Sequence, residues 1–169
     1  MSSKPSEADV PPVPICSSPP CYAAEFPGYF GEGAERVNPV LIDGLNALLE
    51  AERAGAKVLA ILRDGLDARS PERGLLERLQ KDEGANAVLL YKTIRRLGGM
   101  ASHDTGAFVQ KTLAVDGLAA RLAFLNKGQA WVVRKIDQVL PEVEDEAARA
   151  MLVEMRVSHL DNIAACEAL

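Results

Sequence analysis

The sequence has few of the residues that mark several large protein classes. Only 5% of its 169 residues are aromatic, while Ala and Leu abound. That balance favours helices over a β-sandwich. Three cysteines, Cys16, Cys21 and Cys166, make an odd and sparse set. In a helical chain that count argues against a disulfide framework. Zinc sites prefer tighter pairs than the C-x4-C of "ICSSPPCY", and no second pair of ligands is visible. These two cysteines therefore read as reduced thiols in an extended segment. No basic run or patch occurs in a chain of formal net charge -5, which argues against nucleic acid as a partner. Apolar runs are too short to span a membrane. No basic stretch leads into an apolar segment at the start, so a cytoplasmic protein is expected. Gly-x-Ser-x-Gly, His-Glu-x-x-His and glycine-rich phosphate loops are all missing. "GYFGEG" has the glycines but no strand before it or helix directly after it, and reads as a turn.

Hydrophobic residues make up 48% of the chain, enough for one domain with a sizeable core. Composition divides the sequence at about residue 37. Residues 1–37 hold seven of the ten prolines and cannot be helical through "PPVPICSSPP". The first dozen are expected to be disordered. "PPCYAAEFPGYFGEG" gathers Tyr22, Phe26, Tyr29 and Phe30. Clustered aromatics of this kind suit a packed arm, in cis or against a second subunit.

Residues 38–169 carry a period near 3.6 instead. A first helix is expected over about Pro39–Arg63, capped by Asn38, with the stripe Leu41, Leu45, Leu48, Glu52, Gly55, Leu59, Leu62. A second is expected over Ser70–Leu97, started by "SPER" and stopped by Gly98-Gly99. Its stripe is Leu76, Leu79, Glu83, Asn86, Leu90, Ile94, Leu97. "MASHDTG" reads as a connector, with Asp104 or Thr105 as the next cap. A third helical region covers Gly106–Leu140, with a break at Asp116-Gly117, and a fourth covers Asp145–Ala168. The fold expected is an all-α, ferritin-like antiparallel four-helix bundle with an extended proline-rich arm. The simplest arrangement alternates the helices up and down.

Polar residues interrupt the apolar stripes near the middle of each helix: Glu52, Glu83 with Asn86, Gln129, and His159. In a bundle these meet at one level. A carboxylate-bridged di-metal site needs one Glu from each of two helices and Glu-x-x-His from each of the other two. Here Glu83 is followed by Asn86, and Gln129 stands where a Glu is required, so no regular di-iron site is expected. A single iron or manganese held by Glu52, Glu83 and His159 would resemble the facial set of non-haem iron. The preferred alternative has no cofactor. It is a buried hydrogen-bonded network in which Arg121 holds a carboxylate bidentately while Asn86 and Gln129 supply further donors. Such a polar pocket can take a small ligand. Cys166, Met151 and Met155 read as core.

The segments "SPPCYAAE", "LNALLEAERAGAKV", "TGAFVQKTLAVDGLAARLAFLNKGQAWVVRK" and "MRVSHLDNI" together resemble a bacterial family of small ferritin-like bundle proteins of unassigned function. The resemblance runs from about Ser18 to Cys166 and is most specific over Arg121–Lys135. It implies a four-helix fold and no particular reaction. The chain departs from that pattern at Ala24, where a histidine is expected before Glu25. It departs again at "GANA" after Glu83, where larger residues including Arg, Trp and Cys are expected. These departures imply a non-catalytic binding or accessory protein, oligomeric with itself or with a related bundle protein. The competing class is a metal-dependent oxidoreductase.

Overall fold

In a computed structural model of the chain, residues 38–168 are described, and the arm with Cys16, Cys21 and its aromatics lies outside them. Helix α1 is Pro39–Asp64, α2 is Pro71–Arg96, α3 is Phe108–Leu113, α4 is Leu118–Val139 and α5 is Glu146–Glu167. A 3-10 turn, Leu140–Glu142, follows α4. No strand occurs among the described residues. No helix among them is long and apolar enough to cross a membrane.

The ends form where local chemistry asks for them. Asn38 accepts from the amides of Val40 and Leu41 at 3.0 and 3.3 Å, and Ser70 accepts from Arg73 at 3.1 Å. Proline follows each cap, where its missing N–H costs nothing. Gly98 ends α2 at φ 78, and the amide of Gly99 returns to Ile94 O at 2.9 Å. Asp145 caps α5 through Ala148 N. The Arg96 guanidinium grips the same carboxylate and, with that cap, holds it down to about 2. The expected cap at Asp104 or Thr105 is not used: α3 starts from Ala107 with no side-chain cap.

The apolar core is in two halves. One joins the start of α1 (Leu41–Leu49), the end of α2 (Leu90, Ile94), the end of α4 (Ile136, Val139) and the start of α5 (Ala148, Leu152). The other joins the end of α1 (Val58–Leu62), the starts of α2 (Leu75–Leu79) and α4 (Leu122, Leu125), and Cys166 near the end of α5. Helices α1 and α5 therefore run one way, and α2 and α4 the other.

The alternating order expected from short connectors is thus corrected. After α2 the chain returns the length of the bundle before α4 begins. It runs along α1, where Asn46 exchanges bonds with Met100 O and Ser102 N at 2.9 and 2.7 Å. The Ser102 hydroxyl donates to Glu50 at 2.5 Å, and Arg53 donates to Ser102 O. Glu50 and Arg53 point away from the core, as their positions on the wheel require, and there they clamp this crossover. One long connection of this kind is a ferritin-like arrangement.

Candidate functional site

Between the two apolar halves lies a layer of buried polar side chains. Glu52, Glu83, Gln129 and His159 are each no more than 3% exposed. Each sits near the middle of its helix, so they share one level whichever way the helices point. The layer forms a continuous hydrogen-bonded chain. Asn86 Nδ2 donates to Glu52 Oε2 at 3.0 Å. Glu52 Oε1 faces His159 Nε2 at 2.8 Å. His159 Nδ1 meets Gln129 Oε1, and Gln129 Nε2 donates to Glu83 Oε1. A carbonyl oxygen only accepts, so His159 carries a proton on Nδ1.

Glu83 ends this hydrogen-bonded chain. Its Oε1 accepts from a neutral amide, and no donor among the described residues bonds Oε2. That oxygen rests against Gly55, where a Cβ would come within 1.7 Å of it. The glycine on the α1 stripe is the notch that seats the carboxyl. Burial pushes the Glu83 carboxyl well above the usual range, the nearby Glu52 adds to this, and the Gln129 bond pulls the other way.

The sign of the resulting pH dependence follows directly. From the ordinary value of 4.5 up to the raised one, the folded chain keeps a proton that the unfolded chain has lost. Stability due to Glu83 therefore declines as pH rises through that window. Glu83→Gln should flatten this decline and leave the variant at least as stable as the parent at neutral pH. Urea titrations of both proteins at pH 5 and pH 8 check this. A wild-type protein no less stable at pH 8 than at pH 5, relative to the variant, would contradict it.

A cavity of about 440 Å³ opens onto the layer. Its floor includes Glu52, Glu83, Gln129 and His159, and its walls come from α1, the crossover with α3, and α4. Phe108 and Phe124 stack on one side, centroids 5.5 Å apart and planes at 20°. The Phe108 ring lies so close to α4 that a Cβ on Gly128 would meet it at 2.7 Å. Trp131 is 42% exposed and forms part of the lining.

Of the residues singled out from sequence, Glu52, Glu83, Asn86, Gln129 and His159 are brought together. Arg121 is not. Its Nε donates to Val115 O at 2.7 Å and its Nη2 to Leu113 O at 2.9 Å. The residue lies in the first turn of α4, close enough to the end of α3 to satisfy its last carbonyls. The carboxylates take donors from amides and imidazole instead. Arg121→Ala should accordingly cost only roughly 1–2 kcal/mol, through fraying of α3. Amide exchange should quicken near Leu113 while the layer stays protected. A loss of protection at Glu83 and Gln129 would restore the expected pairing. Gly55 stood on the α1 stripe, but nothing in the sequence marked it as the seat of a carboxyl, and the ring of Phe108 folded against Gly128 leaves no periodic signal at all.

Residues 39–168 match the family described as a domain of unknown function, DUF6306. The chain belongs to that family. No curated protein matches it. Two solved structures share the fold of this DUF6306 protein. One is described as a dodecameric thioferritin, the bacterioferritin-related protein of Bacteroides fragilis, at 15% identity and TM-score 0.66, covering 77% of this chain and 83% of that one. The other is described as a ferritin-like, diiron-carboxylate protein from Bacillus anthracis str. Ames, at 18% identity and TM-score 0.57, covering 79% and 92%. The DUF6306 chain is thus a ferritin-like helical bundle.

A pair of metals does not suit the residues present. Both nitrogens of His159 and both oxygens of Glu52 are engaged within the layer. Gln129 separates Glu83 from His159 and offers a neutral amide where a bridging carboxylate belongs. Among the described residues, no three His, Cys, Asp or Glu side chains converge closely enough to hold an ion. Cys166 is buried in the apolar core, and burial pushes its thiol up.

Proposed function

We propose that this DUF6306 protein is a non-catalytic binding or accessory protein, and that it takes a small ligand in the cavity above Glu83. One observation carries the reading. The side chains that would ligate metal in such a bundle are bonded to one another, while a cavity of about 440 Å³ stands open against them. Pockets of this size with a few convergent polar groups in apolar walls suit small molecules. The reading includes a homo-oligomer or a pairing with a related bundle protein. The description of the Bacteroides fragilis neighbour as dodecameric supports it. So does the outer face of α5, where Val153, Val157 and Leu160 recur at helical spacing and are 44–52% exposed.

The test against the competing class is elemental analysis of the purified full-length protein, as isolated and after anaerobic iron loading. No stoichiometric metal is expected in either preparation. About one tightly held ion per chain, lost in His159→Ala, would support an iron- or manganese-dependent oxidoreductase with Glu52, Glu83 and His159 as ligands.

A further inference from the structure

The polar layer contains one more acid than base. Glu52 is matched by His159, with Asn86 on its other oxygen. Among the described residues Glu83 has no such partner: its only bond there comes from the uncharged amide of Gln129. The arginine nearest in the sequence pattern, Arg121, is turned to backbone carbonyls. A buried carboxylate with no positive partner is strongly unfavourable. The carboxyl must stay neutral, or a cation must come to it.

The cavity supplies both the access and the shape for that cation. The Glu83 carboxyl borders it, with Oε2 in the Gly55 notch. The adjoining wall of α1 is built from Ala47, Ala51 and Ala54, and the stacked phenyl rings of Phe108 and Phe124 also line the space. Aromatic faces attract cations as well as apolar bodies. Other charged groups at the cavity are Glu50 from α1, Lys111 from α3 and Lys127 from α4. Both lysines are exposed, so solvent screens them from a charge at the floor. A bare divalent ion would need three or more protein ligands here, and Glu52 and His159 are already bonded to one another.

We propose that the cavity binds a small organic ammonium, a primary amine on a compact apolar body, with Glu83 as its counter-ion. The ammonium donates to Glu83 Oε2, and the apolar body packs against Ala51, Ala54 and the phenyl rings. This rests on the reading of the cavity as a ligand site and names the ligand class.

Calorimetric titration of the full-length protein with benzylamine and phenethylamine tests it, using benzyl alcohol and phenethyl alcohol as uncharged controls of the same shape. The amines should bind one per chain and at least roughly tenfold more tightly than the alcohols. Glu83→Gln should remove that preference, while Phe108→Leu should weaken amines and alcohols alike. Circular dichroism confirms that both variants remain folded. Equal binding of amines and alcohols, unaffected by Glu83→Gln, would keep the cavity as a ligand site and overturn the ammonium. Binding of neither series would overturn the ligand site itself. An amine preference that survives Glu83→Gln would place the cation elsewhere and also overturn the proposal.

Discussion

Gly55→Ala should lower the melting temperature by roughly 10 °C, although alanine is the better helix former by about 1 kcal/mol. A Cβ at this position lands 1.7 Å from Glu83 Oε2 and 2.6 Å from its Cδ. No real pair of atoms tolerates that approach. The carboxyl must leave its notch and break its bond to Gln129, which strands a buried amide donor. Overpacking and the lost bond together cost roughly 3–5 kcal/mol, more than the helix propensity returns. The double variant Gly55→Ala with Glu83→Ala should recover the overpacking part of the loss, because the new methyl then occupies space the carboxyl has vacated, while Gln129 still lacks its acceptor. Thermal melts of the two single variants and the double variant decide the matter. If the double variant melts no higher than Gly55→Ala alone, Glu83 is not what the glycine accommodates.

The second large effect concerns the layer as a unit. His159→Leu should cost roughly 3–5 kcal/mol, because it leaves Glu52 and Gln129 buried without their shared partner. Replacing Glu52, Glu83, Gln129 and His159 together by leucine should do the opposite. The four polar groups are desolvated in the native protein, and leucines would join the two apolar halves into one core. The expected result is a protein as stable as the parent, or more stable by roughly 1–4 kcal/mol. Urea unfolding of the single and fourfold variants provides the comparison. A fourfold variant as weak as His159→Leu would make the layer a net source of stability, and its retention would need no binding role.

Much of this was legible in the sequence because the helices are long and their caps strong. Asn38, Ser70 and Asp145 each precede an amphipathic run, and the polar interruptions fall near helix midpoints. A midpoint stays at the same level when a helix is reversed. The layer was therefore readable even though the actual order of the helices was not. The order was hidden because "MASHDTG" looks like a short link, while α3 shares the helical period of α4 and reads as part of it. Only the bonds from Asn46, Glu50 and Arg53 to the connector make it a crossover. Arg121 was misplaced for a different reason. Its position flanks the stripe, but the guanidinium can reach either inward or back along its own helix, and sequence does not record which carbonyls are left unpaired nearby. The pairing of each polar side chain was equally hidden, because Gln129 can present its oxygen or its nitrogen to either neighbour.

The division of the core has a consequence for how the two helical hairpins recognise one another. The α1–α2 hairpin brings both carboxyls, and the α4–α5 hairpin brings the amide of Gln129 and the imidazole. Leucine-rich surfaces tolerate sliding, since one leucine replaces another after a helical turn of about 5.4 Å. The layer does not. A slip of one turn would press Glu83 and Glu52 into hydrocarbon and leave His159 without a partner. A single polar group in a coiled-coil seam fixes axial alignment in the same way, at some cost in stability. The four polar residues therefore act as a vernier between the hairpins. The all-leucine bundle, freed of that mark, would gain cohesion and lose its unique alignment.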